Sequence, residues 1–265
     1  MTKKGLFMWL ENPLQVNRSL GIRRDKNDRI DSRDIALYAY RFQDRARCYR
    51  LSEKAVKSLE LLLSFRERLL RNKHALPVSA AEIRRVMQRN SAACYIYEQS
   101  RKDVDRINGE IKEVEKRMLD EIRSDESLRE TYDLISSIKG IALINTVAVL
   151  VSTGNFTRFQ SSRQFACYSG MAPFGKQSGT SVKMRPRVSH PANRQIKVLL
   201  TQAAKCAIRH DPGMKDYYQR KVAEGKNSWL VINNVRNKLI HVIFALVKNK
   251  QSYRAGYIRS EKIVA

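Results

Sequence analysis

Asp28 and Asp31 stand three residues apart in the run Asp28-Arg29-Ile30-Asp31-Ser32-Arg33-Asp34-Ile35, which reads as a helix. At that spacing two carboxylates leave the same side of a helix. Hard oxygen ligands converging on one spot can hold Mg2+, and such an ion stabilises the oxygens of a phosphodiester during in-line transfer. Asp25 and Asp34 continue the spacing, and Glu11 is a candidate third ligand. A local alternative stands beside this one: Asp is favoured in the first turn of any helix by capping and by the macrodipole.

A second constellation is Ser169-Gly170-Met171-Ala172-Pro173 followed by Gly175-Lys176-Gln177-Ser178-Gly179-Thr180-Ser181, with Lys183, Arg185, Arg187, His190 and Arg194 close by. A hydroxyl beside glycine on a cation-rich loop can bind phosphate. It can also attack phosphorus while guanidinium groups stabilise the developing charge. Serine in a Gly-rich loop is also a plain loop residue, and no activating base is evident. A third feature is Ile138-Lys139-Gly140-Ile141-Ala142, followed by the apolar run Leu143 to Val151. Helix, Gly-turn and helix make a helix-hairpin-helix, whose backbone N–H groups, with Lys139 and Gly140 at the turn, bind phosphate without reading bases. A simple corner between two helices has the same pattern.

The elements that must carry these residues fall into regions of different texture. Residues 1–48 open on an apolar run, Leu6 to Leu10, read as a strand bounded by Asn12-Pro13, then a basic loop (Arg18, Arg23, Arg24, Lys26) and the aspartate helix. A lone strand needs neighbours, so this region reads as incomplete. Residues 49–130 carry two long helical patterns. One has Ala55, Leu59, Leu62, Leu63, Leu69 and Leu70 on a stripe; the other runs from Ile83, Val86, Asn90 and Cys94 to Met118 and Ile122. Steps of three and four are a coiled-coil seam. Pro77 between them is read as the reversal of an antiparallel hairpin, with two ordinary bundle helices as the alternative. Residues 131–254 read as a compact helical unit with helices near 142–152, 192–210, 213–224 and 227–249. The last would place Trp229, Ile232, Val235, Leu239, Val242, Ile243 and Leu246 inward. A basic tail, loose from Ser252 and covering 255–265, ends the chain.

Bulk properties narrow the partner. Lys plus Arg number 51 against 26 for Asp plus Glu, a net charge of +25. So large an excess repels itself in a compact state, and a polyanion is its natural complement. No run of about 18 apolar residues is seen, so no membrane-spanning helix is expected. Cys48, Cys94, Cys167 and Cys206 form no CxxC pair, which suggests neither zinc nor a disulfide framework and fits a reduced, cytoplasmic protein.

In this order the segments resemble the DEDD transposases of the insertion-sequence 110 family, the group that includes the Piv-type invertases. Glu11-Asn12-Pro13-Leu14-Gln15 through Asp28-Arg29-Ile30-Asp31-Ser32 resembles the end of the family's RuvC-like domain, where two closing aspartates stand three apart. Leu134 to about Tyr253 resembles its C-terminal transposase domain, with Phe159 to Pro173, the Gln177-Ser178-Gly179 motif and the basic helix start His190 to Leu200. Asn27 and Ala142 depart from the usual Thr and Gly. The resemblance implies a mainly α protein: a remnant of a RuvC-like (RNase H-like) α/β domain, an antiparallel coiled-coil arm, and a helical C-terminal domain with a helix-hairpin-helix. It implies Asp28 and Asp31 as Mg2+ ligands and Ser178 as the nucleophile that forms a phosphoserine link, with Ser181 as the fallback. Lys139, Gly140, Lys176, Lys183, Arg185, Arg187 and Arg194 would bind nucleic acid. DNA is the implied partner, with a guide RNA in some members and a homo-oligomer through the coiled coil. The family's first Asp and its Glu have no counterpart here, so the expectation is an N-terminally truncated transposase, weak or empty of Mg2+ and impaired in strand cleavage. The competing expectation is a non-catalytic nucleic-acid-binding dimer that regulates the full-length enzyme.

Overall fold

The computed structural model describes residues 8–21, 27–46, 53–88, 90–178, 182–188 and 193–254, with the backbone alone for 173–178 and 182–188. The chain divides into two units, Met1–Ser52 and Glu53–Ala265. It is mainly helical, and side-chain caps open most of the helices.

In the first unit, α1 (Pro13–Ser19) begins where the sequence suggested only a boundary. The Asn12 side chain accepts from the Leu14 backbone N–H, and Pro13 follows at the first helical position. A capping residue followed by a proline that needs no donor is a helix start. Helix α2 (Asp28–Arg41) matches expectation, with Asn27 as its cap accepting from Ile30. Of the expected first strand, the described part shows a single bridge residue, Trp9. The Trp9 ring packs against Tyr38.

The second unit starts with a long helical hairpin, α3 (Lys54–Val86) and α4 (Ser91–Ser124). The reversal is not at Pro77, which lies inside α3; it comes at Met87–Asn90, where the Asn90 side chain accepts from Ala92 and Ala93. Ile83 and Val86 accordingly close the first helix instead of opening the second. Proline removes one backbone bond, but packing along α4 holds the helix through it, and the cap sets where the partner begins. Val56, Leu59, Leu63 and Leu69 bury against the side of α4 that carries Ile107, Ile111, Val114, Met118 and Ile122. The Arg66–Glu115 ion pair at 2.7 Å bridges the two helices.

Six further helices share a core with this hairpin, and one strand pair stands between two of them. They are α5 (Glu126–Ser136), α6 (Leu143–Thr153), α7 (Ser162–Tyr168), strands β1 (Pro173–Ser178) and β2 (Val182–Val188), α8 (Arg194–His210), α9 (Pro212–Ala223) and α10 (Ser228–Asn249). Helix α10 corrects an expectation, because it is long and apolar enough to cross a membrane by length and composition. Its apolar residues have another use. Val231, Ile232, Val235, Leu239, Ile240 and Ile243 are buried in the core, where α10 packs on α5, α7, α8 and α9.

Tyr253 corrects the loose-tail reading for the described part of the C-terminus. Its N–H donates to Ser137 Oγ at 2.8 Å, and its hydroxyl donates to Oδ2 of the buried Asp211 at 2.9 Å. The other Asp211 oxygen caps α9 through Met214. Burial, then the hydrogen bond to Asp211 and that residue's charge, push the Tyr253 phenol far above its ordinary value. The native state thus holds this proton more tightly than the unfolded chain does. The resulting stability is intact below about pH 10, where the unfolded phenol ionises, and is lost as pH rises from there towards the folded value. Tyr253→Phe is expected to cost about 1–3 kcal/mol at neutral pH by leaving a buried acceptor short of a donor. It should also flatten the alkaline decline, read by urea unfolding at pH 8 and pH 11. The segment 255–265 lies outside the described residues.

Candidate functional site

The aspartate helix belongs to the first unit. Asp28 is exposed and Asp31 half-buried, both in the first turn of α2, while Asp34 is buried one turn on. Asp31 and Asp34 line a cleft of about 770 Å3 together with Glu11, Trp9 and Tyr38; Asp28 is not part of that lining. The Tyr38 hydroxyl donates to Glu11 Oε2 at 3.3 Å. Burial, then the Glu11 charge and this bond, raise the Tyr38 phenol. Among the described residues no group of three or more His, Cys, Asp or Glu is placed to hold a metal ion. Asp28 and Asp31 alone do not enclose an octahedral ion, so the residues present fit Mg2+ only as part of a larger ligand set. Asp25 lies outside the described residues.

The serine segment is in the second unit, and it is not a loop. Residues 173–178 and 182–188 pair as an antiparallel ribbon, with Ser178 opposite Val182 and Gln177 opposite Lys183. The register shifts between Phe174 and Lys176. Two residues of β2, Arg185 and Pro186, there face Gly175 alone. A proline without N–H and a glycine suit such a bulge. The alternation Val182-Lys183-Met184-Arg185 is the period-two signal that could have revealed the strand. Ser178 thus sits at the end of β1, on a ribbon that also carries Lys176, Lys183, Arg185 and Arg187. Ser181, the fallback nucleophile, and His190 lie outside the described residues.

Where the ribbon leaves the helical body, its root is held firmly. Gly170 takes a positive φ of 67°, and Ser169 is fully buried with its hydroxyl on the Phe165 carbonyl at 2.7 Å. Met171 is also fully buried, and its carbonyl accepts from Asn233 Nδ2 of α10 at 3.2 Å. Asn233 was not singled out from sequence, because a polar residue on a helix has no local mark of such a distant partner. On the far side, Asn193 caps α8 and donates from Nδ2 to the Tyr168 hydroxyl at 2.9 Å. Arg194 follows it, exposed, in the first turn.

The turn of Lys139 and Gly140 joins α5 to α6 as expected of a helix, turn and helix. Lys139 is exposed and Gly140 half-buried. Ala142, at the start of α6, provides no side-chain cap, which leaves the first N–H groups of that helix available to a phosphate. Gly140 has a second task in packing, since it lies against the backbone of α8 at Cys206 and Ala207.

Charge separates cleanly along the sequence. No Asp or Glu occurs between Asp133 and Asp211, nor anywhere in α10. The carboxylates gather on α4, where most pair with arginines, as in Arg106–Glu110 and Arg117–Glu113. Among the described residues no ion pair holds Lys139, Arg194, Lys197, Lys205 or Arg209. Even inside, Arg236 is 8% exposed and answers to a hydroxyl, Thr201 Oγ1 at 2.9 Å. Burial lowers its pKa. A stretch of sequence this long without acid, rich in Lys and Arg, has the charge that suits a polyanion.

Residues 132–219 match the model of the Transposase IS116/IS110/IS902 family. An uncharacterized 43.6 kDa protein of insertion element IS110 from Streptomyces coelicolor is 30% identical over 124 residues, which are 46% of this chain and 30% of that protein. The pilin gene-inverting protein of Moraxella bovis is 22% identical over 91% of this chain and 73% of its own length. The transposase for insertion sequence element IS1111A of Coxiella burnetii is 24% identical over 52% of this chain and 38% of its own. From the end of α5 to α9, the stretch that holds the Gly140 turn and the cationic ribbon, this chain is therefore similar to the IS116/IS110/IS902 transposases.

Proposed function

We propose that this chain acts in the recombination of an insertion sequence, gripping DNA with the ribbon β1–β2, the Gly140 turn and α8, and that Ser178 is its nucleophile. The observation that carries the reading is a coincidence of extents: the segment matching the transposase family, 132–219, is nearly the segment free of acid, and Ser178 stands within it. In the reaction Ser178 Oγ forms a new ester bond to phosphorus. The bond from phosphorus to a deoxyribose oxygen breaks, and that oxygen leaves with a proton. Lys176, Lys183, Arg185 and Arg187 offset the charge on the phosphoryl oxygens. Asp28 and Asp31 are proposed as two ligands of a Mg2+ ion that, when bound, would supply positive charge for phosphoryl oxygens. As a pair they hold it weakly. A guide RNA and a second copy of the chain, joined through α3 and α4, are the further partners of this reading.

A second reading starts from the ligand set, because among the described residues no group of three or more His, Cys, Asp or Glu is placed to hold a metal ion. In it the chain binds DNA and regulates a complete transposase without cutting. Incubation with duplex carrying the ends of the element, with Mg2+, separates the two. An adduct stable to denaturing electrophoresis is expected, abolished in Ser178→Ala and retained in Ser181→Ala. Binding with no adduct from the unsubstituted chain would transfer support to the regulator, and failure to bind DNA at all would end both readings.

A further inference from the structure

Trp229 contradicts the sequence pattern that put it inside. At 100° per residue Trp229 falls on the same side of α10 as the buried Arg236 and Ile240, but it stands in the first turn of the helix, ahead of the buried residues, with Leu230 on the outer side. Trp229 is 60% exposed, Leu230 53% and, across on α8, Val198 57%. The Lys205 ammonium lies over the Trp229 ring, 4.9 Å from its centroid. Lys205 belongs to an exposed stripe on α8, Arg194, Val198, Gln202, Lys205 and Arg209, whose steps of four, four, three and four keep it on one face. That stripe runs about 22 Å, and neither α8 nor α10 contains a carboxylate.

A large indole left in water beside cations is an expense that a ligand should recover. Two occupants suit exposed aromatic surface: another protein, or a nucleobase. An apolar protein partner would bring no answer to Arg194, Lys205 and Arg209, whereas a nucleic-acid strand answers both needs. Its phosphates neutralise the cations, and every base offers a π face to an aromatic ring. The ammonium over the indole is itself compatible with a stacked base, because a cation and a base use the same face-on geometry.

We infer that Trp229, backed by Lys205, is a stacking platform for an unpaired base of a nucleic-acid strand lying along the exposed face of α8. This deepens the proposed function and rests on it: a recombining duplex must open, and a guide strand has unpaired bases. Duplex DNA keeps its bases stacked on one another, so the platform discriminates in favour of single strands.

The chain has two tryptophans, Trp9 and Trp229, so Trp9→Phe leaves Trp229 as the sole reporter. Its fluorescence is to be followed as oligothymidylate, oligouridylate and a blunt duplex of equal length are added. Quenching by a single strand, with the duplex bound but quenching far less, is expected. Trp229→Ala should weaken single-strand binding between about 5- and 150-fold, the worth of one stacked base, and Trp229→Phe should recover most of it with an unchanged melting temperature. The thymidylate and uridylate arms tell whether DNA or RNA is the better source of the base, and either supports the platform. Strands that bind with unchanged Trp229 emission and equal affinity for Trp229→Ala overturn it. So does emission that changes with protein concentration alone, which would make Trp229, Leu230 and Val198 a contact between copies. Absence of binding to any nucleic acid would instead defeat the proposed function itself.

Discussion

Gly140→Ala is expected to destabilise the second unit by about 3–5 kcal/mol, seen as a large fall in the denaturant midpoint with little change in slope. Two costs combine. The residue takes a φ of +99°, where an L side chain is strained by about 1–3 kcal/mol. An added Cβ would also stand 2.6 Å from the Ala207 nitrogen and 3.0 Å from the Cys206 carbonyl carbon. Those are backbone atoms of α8, a helix whose Ala203, Ala204 and Ala207 are fully buried. No rotamer change can relieve the clash, and a closely packed interior yields little. Gly109→Ala is the control: nothing lies within 4 Å of its Cβ position on α4, so it should be neutral or stabilising by up to about 1 kcal/mol. A Gly140→Ala protein within about 1 kcal/mol of the parent would refute the close approach of this turn to α8. Because the substitution disturbs folding, phosphate binding at the turn is better probed by Lys139→Ala, whose side chain is exposed.

The affinity of the chain for DNA should fall by about a thousandfold or more between 50 and 200 mM salt, the loss typical of six or more neutralised phosphates. Lys139, Lys176, Lys183, Arg185, Arg187 and Arg194 supply six candidate contacts without recourse to the rest of the surface. Replacing Lys176, Lys183, Arg185 and Arg187 together by glutamine should lower the slope of log K against log salt by about 3 to 4, at about 0.9 per phosphate. The ribbon's cations would be acquitted of DNA contact by a slope that those four substitutions leave alone. The same substitutions on α4, at Arg106 and Arg117, should change little, since these cations already face Glu110 and Glu113. This comparison distinguishes a directed surface from a general excess of positive charge.

Much of this architecture was legible because it is written in short-range signals. The aspartate helix, the Gly140 turn and the four C-terminal helices announce themselves by periodicity and by capping residues such as Asn27, Asn193 and Asp211. The ribbon was missed although Val182 to Val188 alternates, because its glycines and cations suggested a loop. Pro77 misled for a related reason. Proline is a helix breaker on average, and nothing local tells that a second helix will carry the first through it.

What the sequence determined by itself is most of the longer helices, though not the short α1 and α7, together with the location of the acid-free stretch and the residue types available to grip phosphate, since charge and helical period need no partner to be expressed. The tertiary structure decided the rest: that Trp229 faces water, that Gly140 touches α8, that Ser178 lies on a strand, and that Tyr253 closes back on Asp211. Each of these depends on which distant segment arrives alongside. Burial, backbone approach and strand pairing are properties of two pieces of chain in contact, and neither piece encodes them alone.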